Sequence, residues 1–370
     1  MSEKKIALLL FNYFPFGGLQ KDFYSIAREL KKRNFQIKIF TGKWTGENPE
    51  GFEIQQLGIS GITNHKRNIN FTQKVKKELK SYLPDLVFGF NKMPGLDFYF
   101  AADTCFKYKA VKTKSRFYRL TNRYKNSVKY EEAVFGRKAT TKILLLNNKQ
   151  QDEFTNQYQT DLDRLDLIPP GIPSLWSNVK PYGIRSKLNL GDDTRLVLFV
   201  GSDFKRKGLD RAIEALASYN KEYPDAYLLI AGQDDLKPYK KLIQRKETKD
   251  KVIFLGPVEN ISGLMQEADL LIHPAREEAA GNVIIEAMVS SLPVLTCDAV
   301  GFASLVEEYN SGFVLKGNFK QEEFNKLLIN IFSTNLNIQI RERMHDLKEN
   351  KFFYSRFRYI ADKIEEYFSE

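Results

Sequence analysis

"RLVLFVGSDFKRKG", residues 195 to 208, carries the first decision about the fold. Leu196 to Val200 run apolar without alternation, which describes a strand buried on both faces, as in a parallel sheet covered by helices. The run stops at Gly201, passes Arg206 and Lys207, and turns into a helical pattern over 208–222. Downstream, "AYLLIAG", "KVIFLG", "DLLIHP" and "LPVLTC" read as further strands with helices between them, including one over 281–290. Upstream, "LDLIPPGIP" (165–173) interrupts the pattern, because two prolines and a glycine forbid a helix and stiffen the connection. Before it the same alternation has already run once. "IALLLF" precedes the helical "QKDFYSIARELKKR", with Phe23, Ile26, Ala27 and Leu30 on one face. "FQIKIF", a strand near "FEIQQL", a helix over 71–83, "DLVFGF" and "TKILLL" follow. Strands and helices alternating in two series predict an α/β protein of two doubly wound, Rossmann-like domains facing across a cleft near the strand carboxyl ends. The expected division is 1–168, 169–350, and a final amphipathic segment, 351–370, packing back on the first domain.

The bulk numbers agree with this size. The chain has 370 residues, room for two ordinary domains, and its 42% hydrophobic and 28% charged residues describe a globular chain. No apolar run reaches the length of about 18 residues that spans a membrane. Lys4 and Lys5 before Ile6–Phe11 imitate a signal peptide, but the run is short and meets Asn12 and Pro15, so it reads as a first strand. Two cysteines exclude a disulfide framework and point to a reducing cytoplasm. The three histidines (His65, His273 and His345) lack metal-ligand spacing, so no metal is expected. A net charge of +11 calls for an anionic partner: phosphate, nucleic acid or a lipid surface.

Three stretches have the makings of a site. Gly17 and Gly18 lie between the first strand and its helix, where glycine admits an anion to free helix N–H groups. The stretch is neither a G-x-G-x-x-G fingerprint nor a Walker loop, and a plain tight turn reads the same. In "GSDFKRKG", Gly201 followed by Arg206 and Lys207 suits a diphosphate, although a solvated basic turn has the same look. In "EEAAGNVIIEAM" (277–288), Glu278 falls on the loop after a strand and Glu286 about one turn into a helix. Ala279, Ala280, Gly281 and Asn282 between them leave backbone amides within reach at the helix N-terminus. Paired carboxylates there suit sugar diols; a single one would read as a surface charge. "DLD" (161–163) imitates a metal-binding motif but lies in a polar loop and is taken as chance.

At this third motif the chain resembles the retaining glycosyltransferases of family four, which have the GT-B fold. "YFPFGGLQKDF", "TNHKRN", "GFNKMPGLDFYFAAD", "YRLTNRY", "PPGI", "GSDFKRKG" and "HPAREEAAGNVIIEA" narrow the likeness to the glucosyltransferases of the lipopolysaccharide core. The likeness runs over roughly residues 6 to 300 and is weak beyond. It implies UDP-glucose as the donor substrate, no cofactor, no metal, and retention at the anomeric carbon. It also implies roles: Glu286 on the donor ribose, Glu278 toward the glucose hydroxyls, and Arg206 and Lys207 on the diphosphate. Gly17 and Gly18 would close over the donor with Asp22 just behind, and Asp103 of "FAADTC" would stand on the acceptor side. The implied acceptor is the inner-core heptose of lipopolysaccharide, which places the enzyme in the cytoplasm, peripheral on the inner membrane. One departure stands out. After "PPGI" the chain reads "PSLWSNVK" (173–180), with no arginine where that family carries a charged residue, so the donor grip there is expected to differ.

Residues 107–129 hold nine Lys and Arg and no acid. Read as one helix from Arg116, they put Phe117, Leu120, Tyr124 and Val128 on a stripe flanked by Arg119, Arg123, Lys125 and Lys129, an interfacial pattern for anionic inner-leaflet lipids. A core-packed helix with a solvated face is the plainer reading. Nucleic-acid binding has no motif here, and paired carboxylates gain nothing in a nucleic-acid groove. A GT-B enzyme with another sugar donor, or a UDP-sugar epimerase on the same fold, remains the alternative to a glucosyltransferase.

Overall fold

The computed structural model describes residues 4–15, 17–172, 180–246 and 248–369. The chain forms two compact units, Met1–Gly171 with Ser355–Glu370, and Ile172–Tyr354.

The first unit is a seven-stranded parallel sheet. Its strands are β1 (Lys5–Tyr13), β2 (Gln36–Trp44), β3 (Glu53–Gln56), β4 (Leu86–Gly89), β5 (Phe98–Ala101), β6 (Lys142–Leu145) and β7 (Leu165–Leu167). The order is β3-β2-β1-β4-β5-β6-β7. Ile6 to Leu10 of β1 are buried, as the uninterrupted apolar run requires. The helix over 71–83 begins earlier, as Asn64–Tyr82. Only Phe71 and Val75 of it are buried, so its first two turns carry no apolar period to read. Strands β5 and β7, of four and three residues, are too short to show a period and pass unnoticed in the sequence.

The last helix, Arg356–Tyr367, belongs to this first unit and is fastened to it by polar groups. Arg356 is fully buried and donates from Nη1 to Asp22 Oδ2 at 3.0 Å and from Nε to the Pro169 carbonyl at 3.2 Å. Arg33 pairs with Asp362 and Glu365, and Tyr359 Oη donates to Asp166 at 2.7 Å.

The second unit repeats the plan with β8 (Arg195–Val200), β9 (Ala226–Ala231), β10 (Val252–Gly256), β11 (Leu270–His273), β12 (Val294–Cys297) and β13 (Gly312–Leu315). All are parallel, in the order β10-β9-β8-β11-β12-β13. In both sheets the strand order reverses once, between β1 and β4 and between β8 and β11. Ligands of doubly wound folds bind outside the strand carboxyl ends at such a reversal.

The single helix expected from Arg116 does not form. Arg116–Leu120 is a short 3-10 turn, and a separate helix, Asn122–Phe135, begins after Thr121. Thr121 is extended and its hydroxyl caps the Tyr124 N–H, which starts the second helix and ends the first. The stripe is therefore split. Phe117 and Leu120 are 81% and 69% exposed, while Tyr124 lies between Phe106 and Tyr118, and Val128 packs on the core.

Candidate active site

Strands β8 and β11 deliver the two charged loops of the second unit side by side. After β8 the backbone turns at Gly201, whose φ of +138° favours glycine, and a Cβ there would stand 2.5 Å from Lys207 Cδ and push the lysine aside. Asp203 caps the one-turn helix Phe204–Lys207, accepting from the Arg206 N–H at 3.3 Å and from Arg206 Nε at 2.9 Å. After β11, Arg276 sews the loops together. Its N–H donates to the Arg206 carbonyl at 2.7 Å, and its guanidinium grips Asp210 at 2.8 and 2.6 Å.

The centre of this arrangement is a charge cluster. Arg206 Nη1 donates to Glu278 Oε2 at 2.8 Å and to the Glu277 carbonyl at 3.0 Å, and Lys207 Nζ lies 3.2 Å from the same Glu278 oxygen. Burial pushes the Glu278 carboxyl up, but Lys207, His273 and Arg206 outweigh it and bring it down to about 2. Burial likewise works against the Arg206 charge, and Glu278 with Asp203 raises its pKa regardless. Glu278 is held by its backbone as well: its N–H donates to Ala299 at 3.1 Å and its carbonyl accepts from Gly301 at 3.0 Å. Gly281, left-handed at φ +90°, then starts the helix Asn282–Val289, on which Glu286 lies one turn in. The cluster thus offers two cations beside a helix N-terminus, a preorganised setting for charge that grows on a phosphate.

Sequence reading missed His273, Asp203, Arg276 and Asp210. His273 ends β11, is fully buried, and among the described residues neither ring nitrogen has a hydrogen-bond partner. Burial, followed by Lys207, pushes its pKa down to about 3, so the ring is neutral. A lone histidine in an apolar strand gives no signal of the cations its fold will set above it. "PSLWSNVK", apart from Lys180, lies outside the described residues.

In the first unit, Gly17 caps the helix Gly18–Lys32 with an ordinary φ of −83°. Its missing Cβ makes room for Gln20, which folds back to donate to the Asn12 carbonyl at 3.0 Å. Gly18 faces open space. Asp22, expected behind the donor, has its carboxylate on Arg356, so the bond that can be seen is one that anchors the final helix. Asp103 follows β5 and lines a cavity of about 240 Å³ with His65, Asn91, Lys92, Asn126 and Tyr130. This cavity lies by the carboxyl ends of β1, β4 and β5, at the strand reversal. Lys92 Nζ bonds fully buried Glu131 at 2.6 Å, and Glu131 also accepts from the Phe106 and Lys107 N–H groups and from Tyr158 Oη. Glu131 therefore fixes the start of the helix Phe106–Thr113, which opens the basic segment. Burial opposes the Lys92 charge, yet Glu131 and Asp103 raise its pKa. The "DLD" aspartates border a 3-10 turn, where Asp161 accepts from the Asp163 N–H. Among the described residues no helix is long and apolar enough to cross a membrane, and no group of three or more His, Cys, Asp or Glu is placed to hold a metal.

Comparison with known proteins gives these features a family context. The family described as glycosyl transferases group 1 matches residues 183–352. The lipopolysaccharide glucosyltransferase WaaG of Escherichia coli K12 is 40% identical over 329 residues, 87% of this chain and 88% of the relative. A crystal structure of WaaG, a glycosyltransferase involved in lipopolysaccharide biosynthesis, superposes with a TM-score of 0.91 at 38% identity, covering 97% of this chain and 99% of that one. The Anabaena protein HepE, solved with UDP and glucose, shares the fold at a TM-score of 0.73 and 20% identity, covering 99% of this chain and 100% of that one.

Proposed function

The chain belongs to the WaaG family of lipopolysaccharide glucosyltransferases, with the GT-B fold, and from this membership we propose that it transfers glucose from UDP-glucose to the inner-core heptose of lipopolysaccharide. The observation that carries the donor side is the Arg206–Lys207–Glu278 cluster at the β8/β11 reversal. Transfer breaks the bond between the glucose anomeric carbon and the diphosphate oxygen. The acceptor hydroxyl oxygen takes that carbon on the same face, and its proton passes to the departing phosphate. UDP leaves with negative charge, and two fixed cations with helix N–H groups stabilise that charge as it develops. A same-face course needs no covalent intermediate on the protein, and on this reading Arg206 and Lys207 take the place of a metal at the departing diphosphate. Glu286 is assigned to the ribose, and Glu278 to the glucose hydroxyls.

Asp103 and the cavity it lines are assigned to the acceptor sugar. The nine cations of residues 107–129, with exposed Phe117 and Leu120 among them, are assigned to the anionic surface in which such an acceptor is anchored. On this reading the enzyme works at the cytoplasmic face of the inner membrane. The test is Lys207→Ala, which should lower turnover with UDP-glucose by about 10²–10³-fold, the scale of one lost charge-stabilising donor, in a variant that circular dichroism shows to be folded. A near-parental rate would remove the cluster from the reaction.

A further inference from the structure

The two cations assigned to the diphosphate already share a partner of their own chain, a single oxygen of Glu278 at 2.8 and 3.2 Å. A phosphate oxygen competes for the same N–H groups. Protonation does not release the carboxylate, whose pKa is about 2. The loop does not carry it away either, because its backbone is pinned to Ala299 and Gly301. The side chain alone is left to move, and it is partly exposed.

We propose that a diphosphate binds here by anion exchange: it takes Arg206 and Lys207 from Glu278, and the displaced carboxylate becomes available to the hydroxyl-bearing group attached to that diphosphate. The inference rests on reading the cluster as the diphosphate site of a sugar nucleotide. Exchange makes Glu278 a competitor of the diphosphate and a partner of the sugar at once. Its charge then has opposite effects on two measurable quantities. Neutralising it strengthens binding of a bare diphosphate and weakens turnover of a sugar nucleotide. A carboxylate that merely shaped the loop would not split the two in sign.

The experiment is calorimetric titration of the full chain with inorganic pyrophosphate, then with UDP. Glu278→Gln is expected to bind pyrophosphate roughly tenfold more tightly than the parent, about 1.4 kcal/mol, while its turnover with UDP-glucose falls. Asp203→Asn, which removes a more exposed carboxylate from Arg206 alone, is expected to gain less than threefold, as exposed pairs do. Equal or weaker pyrophosphate binding by Glu278→Gln overturns the exchange, as does an equal gain in Asp203→Asn. If pyrophosphate follows the expected order and UDP does not bind, the sugar-nucleotide reading falls and the exchange stands. If the parent turns over UDP-glucose but Glu278→Gln gains nothing, the exchange falls alone. Should Glu278→Gln not fold, a crystal structure of the parent with pyrophosphate decides: Glu278 more than 4 Å from both cations supports exchange, and retained contacts refute it.

Discussion

His273 is the residue that shows most plainly what burial does at this site. The imidazole is fully enclosed, lies near Lys207 and Arg206, and is pushed from an ordinary 6.5 to about 3. Between those two values the unfolded chain binds a proton that the folded chain refuses, so stability falls as pH drops through that window. Each pH unit then removes up to about 1.4 kcal/mol. Glu278 acts in the same direction at lower pH: its folded value of about 2 lies under the ordinary 4.5, so its contribution is complete above 4.5 and fades toward 2. Urea unfolding of the parent from pH 7 to pH 4.5 should show this decline, and His273→Leu should flatten it. A variant as acid-sensitive as the parent would assign the loss to other groups.

At the scale of elements, the legible parts were those with a strong local pattern. The apolar strands β1, β8 and β9, and the glutamate loop before Gly281, announce themselves through near-continuous burial and turn chemistry. What stayed hidden depends on contacts distant in sequence. Arg356 becomes a core residue because Asp22 and the Pro169 carbonyl meet it, and "RFRY" gives no hint of that. The basic segment misled for a related reason: a helical period across 116–128 overlooks Thr121, whose cap divides it. The division leaves Phe117 and Leu120 on a short exposed turn beside Arg119, and Arg123 and Lys125 at the start of the next helix. Cations near an anionic surface contribute about 1 kcal/mol each, screened over a Debye length of about 8 Å, while inserted apolar side chains resist salt. Charge reversal at Arg119, Arg123 and Lys125 together should abolish sedimentation with anionic vesicles and spare transfer to a delipidated acceptor. If that variant still sediments, or the parent binds neutral vesicles as well, the segment is a solvated face and nothing more.

At the scale of the whole molecule, the chain builds one doubly wound unit, leaves it at Gly171, builds a second, and returns at Ser355 to complete the first. One tie on that return is the Asp22–Arg356 pair, buried and at 3.0 Å. Removing one member of such a pair strands the other, at about 3–5 kcal/mol. Asp22→Ala should therefore lower the unfolding free energy by that amount, and a change below about 1 kcal/mol would show that the final helix is held elsewhere.

Glucosyl transfer driven by protein cations is tested most directly by one reaction. The purified chain is incubated with UDP-glucose and a delipidated heptose-terminated core oligosaccharide in excess EDTA, and the product is read by NMR at its anomeric proton. A single α-linked glucose on heptose is expected, formed at the same rate as without chelator. A β-linked product, strict dependence on added Mg²⁺, or no transfer of glucose to heptose would contradict it.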